Sequence, residues 1–206
     1  HKTPVKPCMD AEPCYENHPV DWDPKNGWFD EYDVRKACYW GLFAGGHGHT
    51  YGCHDIWQMM APGHNPISSA RDYWYEVLDL PGAWDMMHAK HLILSRPYFS
   101  RVPDQSLIAE GQGEGTHHVQ ATRGNDYAFI YIASGRTIQV NLGKISGKKV
   151  KAWWYEPRTG EANLIGVKKN QGRMEFDPPG KAGKHNDWIL VLDDASKKFS
   201  KPGRIK

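Results

Sequence analysis

Two hydrophobic periods divide the chain. Up to about residue 102 apolar positions recur at three- and four-residue steps between loops rich in Gly and Pro; from about Pro103 the period shortens to two. Residues 30–42 read as a helix. Asp30 supplies an N-cap, with Asp33 three residues on as a stand-in for the capping-box Glu. Val34, Ala37, Cys38 and Gly41 or Leu42 share one face, and Gly45-Gly46 end the helix. Ser68 or Ser69 is placed to cap a second helix over residues 70–78, which Pro81-Gly82 breaks. A third follows over residues 83–95, its core-facing stripe predicted as Trp84, Met87, His88, His91, Leu92 and Leu94 or Ser95. Residues 3–11 suit a strand that Pro13 must stop, because proline has no N–H for a ladder. A short strand is predicted again at residues 47–51.

In the second half, residues 107–110, 117–122, 127–134, 137–142, 150–156, 162–168, 173–176 and 188–192 read as strands. Ile138, Val140 and Leu142 alternate with Thr137, Gln139 and Asn141, whereas residues 127–133 are apolar on both faces, as a central strand would be. Asn125-Asp126, Pro157-Arg158-Thr159-Gly160 and Pro178-Pro179-Gly180 supply turns. The expectation is therefore α/β plus all-β: two β/α units of a barrel or doubly wound sheet over residues 1–102, then an antiparallel β-sandwich over residues 103–206. The last dozen residues, rich in Lys and Gly, are expected to fray.

Composition sharpens this. A net charge of +2 with mixed signs gives no field directed at nucleic acid. No run of 18 apolar residues is present, so no membrane span is expected. Nine Trp, ten Tyr and eleven His are the unusual feature; aromatic rings suit the flat C–H faces of sugars, which supports a carbohydrate ligand. The chain opens at His1 without Met or a signal peptide, in what reads as the lead-in to a strand, as the remainder of something longer or a processed product would. Cys8, Cys14, Cys38 and Cys53 form no Cys-x-x-Cys pair, so no structural zinc is expected. Cys38 is assigned to the core, and a Cys8–Cys14 disulfide is left open.

The chemistry concentrates in two stretches. Residues 6–16 read Lys-Pro-Cys-Met-Asp-Ala-Glu-Pro-Cys-Tyr-Glu, placing Glu12 at a strand end and Tyr15 and Glu16 in the loop after it. Barrel enzymes work from the C-terminal ends of their strands, although two glutamates in a polar loop are also plain solvated surface. The loop at residues 17–28 follows; its Trp22 and Trp28 either wall a site or cap a barrel. Residues 44–60 are too rich in Gly and His for ordinary core. His47, His49 and His54 invite a metal, since His-x-His sets both rings on one strand face, but no carboxylate set accompanies them. Neutral histidines bonding a polar ligand, or core histidines, are the other readings.

Glu12-Pro13-Cys14-Tyr15-Glu16, the Gly-His-Thr-Tyr-Gly and Trp57-Gln58 of residues 44–58, Pro103-Asp104-Gln105, the Trp154-Tyr155-Glu156-Pro157-Arg158-Thr159-Gly160 run and Asn186-Asp187-Trp188 together resemble the C-terminal part of the apiosidase-like glycoside hydrolases of gut and soil bacteria. These carry a (β/α)₈ TIM barrel followed by a collagen-binding-type β-sandwich. The resemblance implies that residues 1–102 hold barrel strands seven and eight with their helices, strand seven ending at Glu12 and strand eight near His49. It implies a retaining glycosidase with Glu12 as nucleophile. The acid/base would stand on strand four, outside this chain. Tyr15 and Glu16 would orient Glu12 or bind sugar hydroxyls, while His49, His54 and Trp57 would line the pocket; Glu16 is the rival nucleophile. Neither metal nor organic cofactor is implied. The partners implied are a carbohydrate substrate, from plant-type polysaccharide side chains with apiose as one candidate for the released sugar, and the N-terminal remainder of the barrel. Stability is expected only with that remainder. The resemblance also implies an extracytoplasmic location, secreted or periplasmic. A non-catalytic module binding carbohydrate or protein is the alternative, with Trp153 and Tyr155 alternating along one strand and Trp154 on the opposite face.

Overall fold

The computed structural model describes Pro4 and residues 6–205. They form two compact units, one from the residues up to Leu42 with Gly46–Met87, the other from Phe43–Gly45 with the residues from His88 on. None of the described helices is long and apolar enough to cross a membrane.

The first unit has strand β1 (Met9–Asp10), helix α1 (Glu31–Phe43), strand β2 (Gly48–His49), the short helix α2 (His54–Trp57) and the start of helix α3 (Pro81–Leu94). β1 and β2 pair in parallel, Met9 with Gly48 and Asp10 with His49. Of the strand expected over residues 3–11, residues 3 and 5 lie outside the described residues, and of the rest only Met9–Asp10 pairs. Pro7 has no amide with which to extend the ladder backwards, and at the other end Glu12 follows the last paired residue by two positions instead of ending the strand. α1 begins as its sequence dictates: Asp30 accepts from the Asp33 amide at 3.2 Å, and Asp33 accepts from the Asp30 amide at 3.4 Å. Gly45, at φ 111°, ends it. Its buried side is Tyr32, Val34, Arg35, Cys38, Tyr39 and Leu42, with the Arg35 guanidinium on Asp85 at 2.5 Å.

Two helix expectations need correction. Residues 70–78 form turns, because Asp55 Oδ1 takes the amides of Arg71 and Asp72, both at 3.2 Å, and the Trp74 amide goes to Met60. Ser68 and Ser69 stand at φ 48° and 58°, so neither caps anything. Pro81-Gly82 opens α3 instead of separating two helices; proline suits a first turn because that amide has no partner there. The predicted stripe on α3 is also displaced. Trp84, Met87 and Leu94 are exposed, and Asp85, Ala89, Leu92 and Ile93 are buried. A paired carboxylate occupies a core position, which apolar periodicity does not register.

The second unit holds the end of α3 and two sheets whose strands all pair antiparallel. Strands β3 (Val102–Pro103), β5 (Val119–Arg123), β6 (Tyr127–Ile132), β8 (Lys149–Tyr155), β9 (Ala162–Lys169) and β11 (Trp188–Asp194) form one sheet in the order β3-β5-β6-β11-β8-β9. Strands β4 (Ile108–Glu110), β7 (Ile138–Asn141) and β10 (Arg173–Phe176) form a second, ordered β10-β7-β4. Inward residues of both, among them Ile130, Leu190, Trp154, Val140 and Phe176, belong to one core cluster. The other face of the large sheet is buried too: Tyr127 donates to Pro97 O at 2.7 Å, Tyr155 to His88 O at 2.8 Å, and Phe129 stacks on Phe43. At the free edge, the β8–β9 register skips Ile165 beside Gly166, whose φ is 136°. The C-terminal segment, expected to fray, is tied down. Arg96 binds Asp193 through two 2.7 Å bonds and reaches Ser200 O at 3.2 Å, with the Phe199 ring over its guanidinium at 4.7 Å.

Candidate active site

Glu12 stands exposed in a cleft of about 480 Å³ in the first unit, accompanied on its walls by Tyr15 and Trp57. The Tyr15 hydroxyl donates to Glu12 Oε1 at 3.4 Å. Burial first, and the Glu12 carboxylate second, push that hydroxyl above its ordinary value, so it remains a donor at neutral pH. Cys8 and Cys14 are free thiols; Cys14 lines the cleft, and burial pushes it up to about 11, leaving little thiolate to react.

The Tyr15 ring lies directly on the Gly52 backbone, where an added Cβ would come within 2.3 Å of ring carbon Cδ1. Gly52→Ala must therefore displace a rigid ring and with it the donor to Glu12. We expect the fold to lose about 1–3 kcal/mol of stability, read as a shift in the denaturant midpoint. In a Tyr15→Ala background the same substitution should cost almost nothing more. Equal losses in both backgrounds would mean that Gly52 acts some other way.

Two further wall residues, His18 and Phe29, were not singled out from sequence, and Trp22, one of the two loop tryptophans raised there, joins them. His18 sets Nδ1 2.7 Å from Pro19 O, and its ring meets Trp22 edge-on at 4.4 Å. Trp22 is exposed at φ 63°, a conformation that bulky residues rarely hold. The turn before it is fixed by Asn17, also left-handed, whose amide nitrogen donates to Asp55 at 3.0 Å and Asp72 at 3.1 Å, while its oxygen accepts from Arg71 at 2.6 Å. Of the two loop tryptophans, Trp22 walls the cleft; Trp28 lies under the Arg71 guanidinium, 4.7 Å from its ring centre. A lone loop histidine has no spacing partner to mark it. The aromatic density of residues 18–29 was the available signal.

The other expected site residues lie elsewhere. Glu16 is 2 % exposed. Its Oε2 accepts from the Tyr51 hydroxyl at 2.6 Å and its Oε1 from the Gly82 amide at 3.3 Å, so it caps the start of α3 and is not placed to attack a sugar. Burial is the main cause that raises its carboxyl above the usual range, against those two bonds. His49 lies outside the cleft wall, its Nδ1 4.0 Å from Asp10, and burial lowers its ring below the ordinary imidazole value. His54 is fully buried behind the wall. His47 bonds Cys8 O at 2.7 Å, so the three histidines raised as a metal set each face a different partner. Among the described residues no three His, Cys, Asp or Glu side chains cluster as ligands.

Residues 1–100 match the family model described as "Apiosidase-like, catalytic domain", and residues 102–193 match the one described as "Putative collagen-binding domain of a collagenase". The first 100 residues belong to the apiosidase-like catalytic-domain family. It is similar to a solved structure called a glycoside hydrolase, at 41% identity and TM-score 0.93 over 97% of this chain and 45% of that one. It is also similar to a glycoside hydrolase family 5 protein from Bacteroides vulgatus ATCC 8482, at 40% identity and TM-score 0.94 over 98% of this chain and 44% of that one. The chain thus spans less than half the length of these two proteins. No curated protein matches it.

Proposed function

We propose that this chain is part of a retaining glycoside hydrolase acting on plant-type polysaccharide side chains, with Glu12 as the nucleophile. The observation that carries this is the placement of Glu12: an exposed carboxylate in a cleft walled by Tyr15, His18, Trp22 and Trp57, with a neutral hydroxyl donor beside it. Ionised Glu12 would attack the anomeric carbon and form a glycosyl ester, while Tyr15 orients the attacking carboxylate. Trp22 and Trp57 would stack on the sugar face. The acid/base that protonates the leaving oxygen, and takes a proton from water in the second step, would come from outside these residues, about 5 Å from Glu12 as retention requires. In this reading β1 and β2 are the seventh and eighth strands of a TIM barrel over residues 1–102, completed by the N-terminal remainder of that barrel. Residues 103–206 are an antiparallel β-sandwich appended to it. The enzyme works outside the cytoplasm, as polysaccharide degradation demands.

The test is a panel of aryl glycosides and pectic oligosaccharides incubated with the intact protein, the first-formed anomer being read by proton NMR. Hydrolysis with retained configuration is expected. Inversion would remove the nucleophile role of Glu12, since inverting enzymes form no glycosyl ester. Absence of hydrolysis with glycan still bound would favour the non-catalytic binding module.

A further inference from the structure

His54 is fully buried, yet both of its ring nitrogens are bonded. The Trp57 indole N–H, which can only donate, lies 3.1 Å from Nδ1. Two backbone carbonyls, which can only accept, lie 3.0 Å (Ile67) and 3.1 Å (Ser68) from Nε2. The Gln58 side-chain nitrogen also lies 3.3 Å from Nε2, but its two hydrogens are taken by His54 O at 2.9 Å and Ile67 O at 3.3 Å. One protonation state then satisfies the indole and both carbonyls: a neutral ring with its proton on Nε2 and its lone pair on Nδ1. The same ring meets His18 edge-on at 4.5 Å, and His18 in turn meets Trp22. His54 thus stands behind both tryptophans of the cleft. The segment it holds is strained, with Ser68 and Ser69 left-handed and the Ser68 hydroxyl buried without a partner. Gln58 clamps that segment from the other side, accepting the Ile67 amide at 2.9 Å.

We propose that His54 is a positioning residue whose neutral ring holds the Trp57 indole in the sugar-binding wall, and that a proton on Nδ1 releases it, so that the site loses carbohydrate affinity in acid. This rests on the reading of the cleft as a carbohydrate site. Protonation would set an N–H against an N–H, and the indole must then turn away or stay unbonded. The titratable groups facing the ring are His18 from the loop and Asp55 from α2, with Arg71 and Asp72 beyond Asp55. Burial chiefly holds the imidazole below its ordinary value of 6.5, with His18 helping and the Ser68 carbonyl and Asp55 opposing. The native state therefore favours the neutral ring. The wall is fully held above the ordinary value and is lost as pH falls through the lowered native one.

The experiment is an NMR titration of the ¹⁵N-labelled intact protein from about pH 8 to about pH 4.5, spanning the histidine range. The Trp57 indole signal is assigned by its absence in Trp57→Phe. We expect it to move in one step below the ordinary imidazole value, and the step to vanish in His54→Asn, whose amide oxygen accepts without titrating. KM for a p-nitrophenyl glycoside that the protein cleaves should rise about five- to tenfold across the same step. His54→Asn should flatten the KM profile and leave the kcat profile unchanged, which a merely structural role would not do. If His54→Asn does not fold, Trp57→Phe serves instead, because without the indole N–H KM should be raised and flat with pH. An indole signal that stays still, or moves equally in His54→Asn, overturns the proposal. A clear indole step in a protein that cleaves no glycoside would sink the hydrolase reading while leaving the latch intact.

Discussion

Glu12→Gln should lower turnover of a cleaved glycoside on the order of 10³- to 10⁵-fold while KM changes by no more than about threefold. Gln keeps the shape and the oxygen that accepts from Tyr15, so the bond at 3.4 Å can persist. What it lacks is the negative charge that, in the proposed mechanism, attacks the anomeric carbon. Because Glu12 is exposed, the substitution leaves no buried group without a partner, and the thermal midpoint should stay within about a degree or two. That separates chemistry from folding. Glu16→Gln is the contrasting case: Glu16 is buried on Tyr51 and the first turn of α3, so its loss should appear first in stability. Steady-state kinetics beside thermal unfolding of both variants would decide. A Glu12→Gln enzyme within tenfold of the parent would remove Glu12 as nucleophile.

Arg96→Ala should destabilise the fold by about 3–5 kcal/mol, read as a shift in the denaturant midpoint. The variant leaves Asp193, 3 % exposed, in the sheet with no counter-charge, and it frees the segment that Arg96 ties through Ser200 and Phe199. Burial already outweighs the guanidinium and keeps the Asp193 carboxyl above its ordinary range. The intact pair therefore contributes little net stability, and breaking it costs much more than it gave. Replacing both partners, Arg96→Leu with Asp193→Leu, should recover most of the loss. Should the double variant prove as unstable as Arg96→Ala, the bonds themselves and not the stranded charge would be responsible.

These two sites also mark where sequence reading succeeds and where it stops. Local rules served well when the partners of a group lay close in the chain. Asp30 and Asp33 cap α1 as their spacing predicts, and the eight longer β-strands fall within two residues of their predicted bounds because alternation and turn residues agree. β3, two residues long and ending at Pro103, was beyond such rules. Expectations failed where a distant side chain took over a backbone group. Asp55 claims the amides of Arg71 and Asp72, sixteen and seventeen residues on, and no helix forms there. Arg35 draws Asp85 into the core and turns α3 away from its apolar stripe. The cleft was half legible: Glu12, Tyr15 and Trp57 meet there, whereas Glu16, His49 and His54 turned inward. Residue type suggested polar work for these three. The packing sets Glu16 on Tyr51 and the start of α3, His49 beside Asp10 and His54 against Trp57, contacts that residue type alone does not announce.

The irregular edge of the large sheet has a consequence for how the protein behaves in concentrated solution. β9 exposes Leu164 and Val167, which on a flat strand would invite another chain to add on. Its ladder instead skips Ile165, bends at a left-handed Gly166 and ends in Lys168 and Lys169. An incoming strand would find its register interrupted halfway and two like charges at the end. The bend that costs β8 and β9 a step of pairing thereby guards the sheet against aggregation.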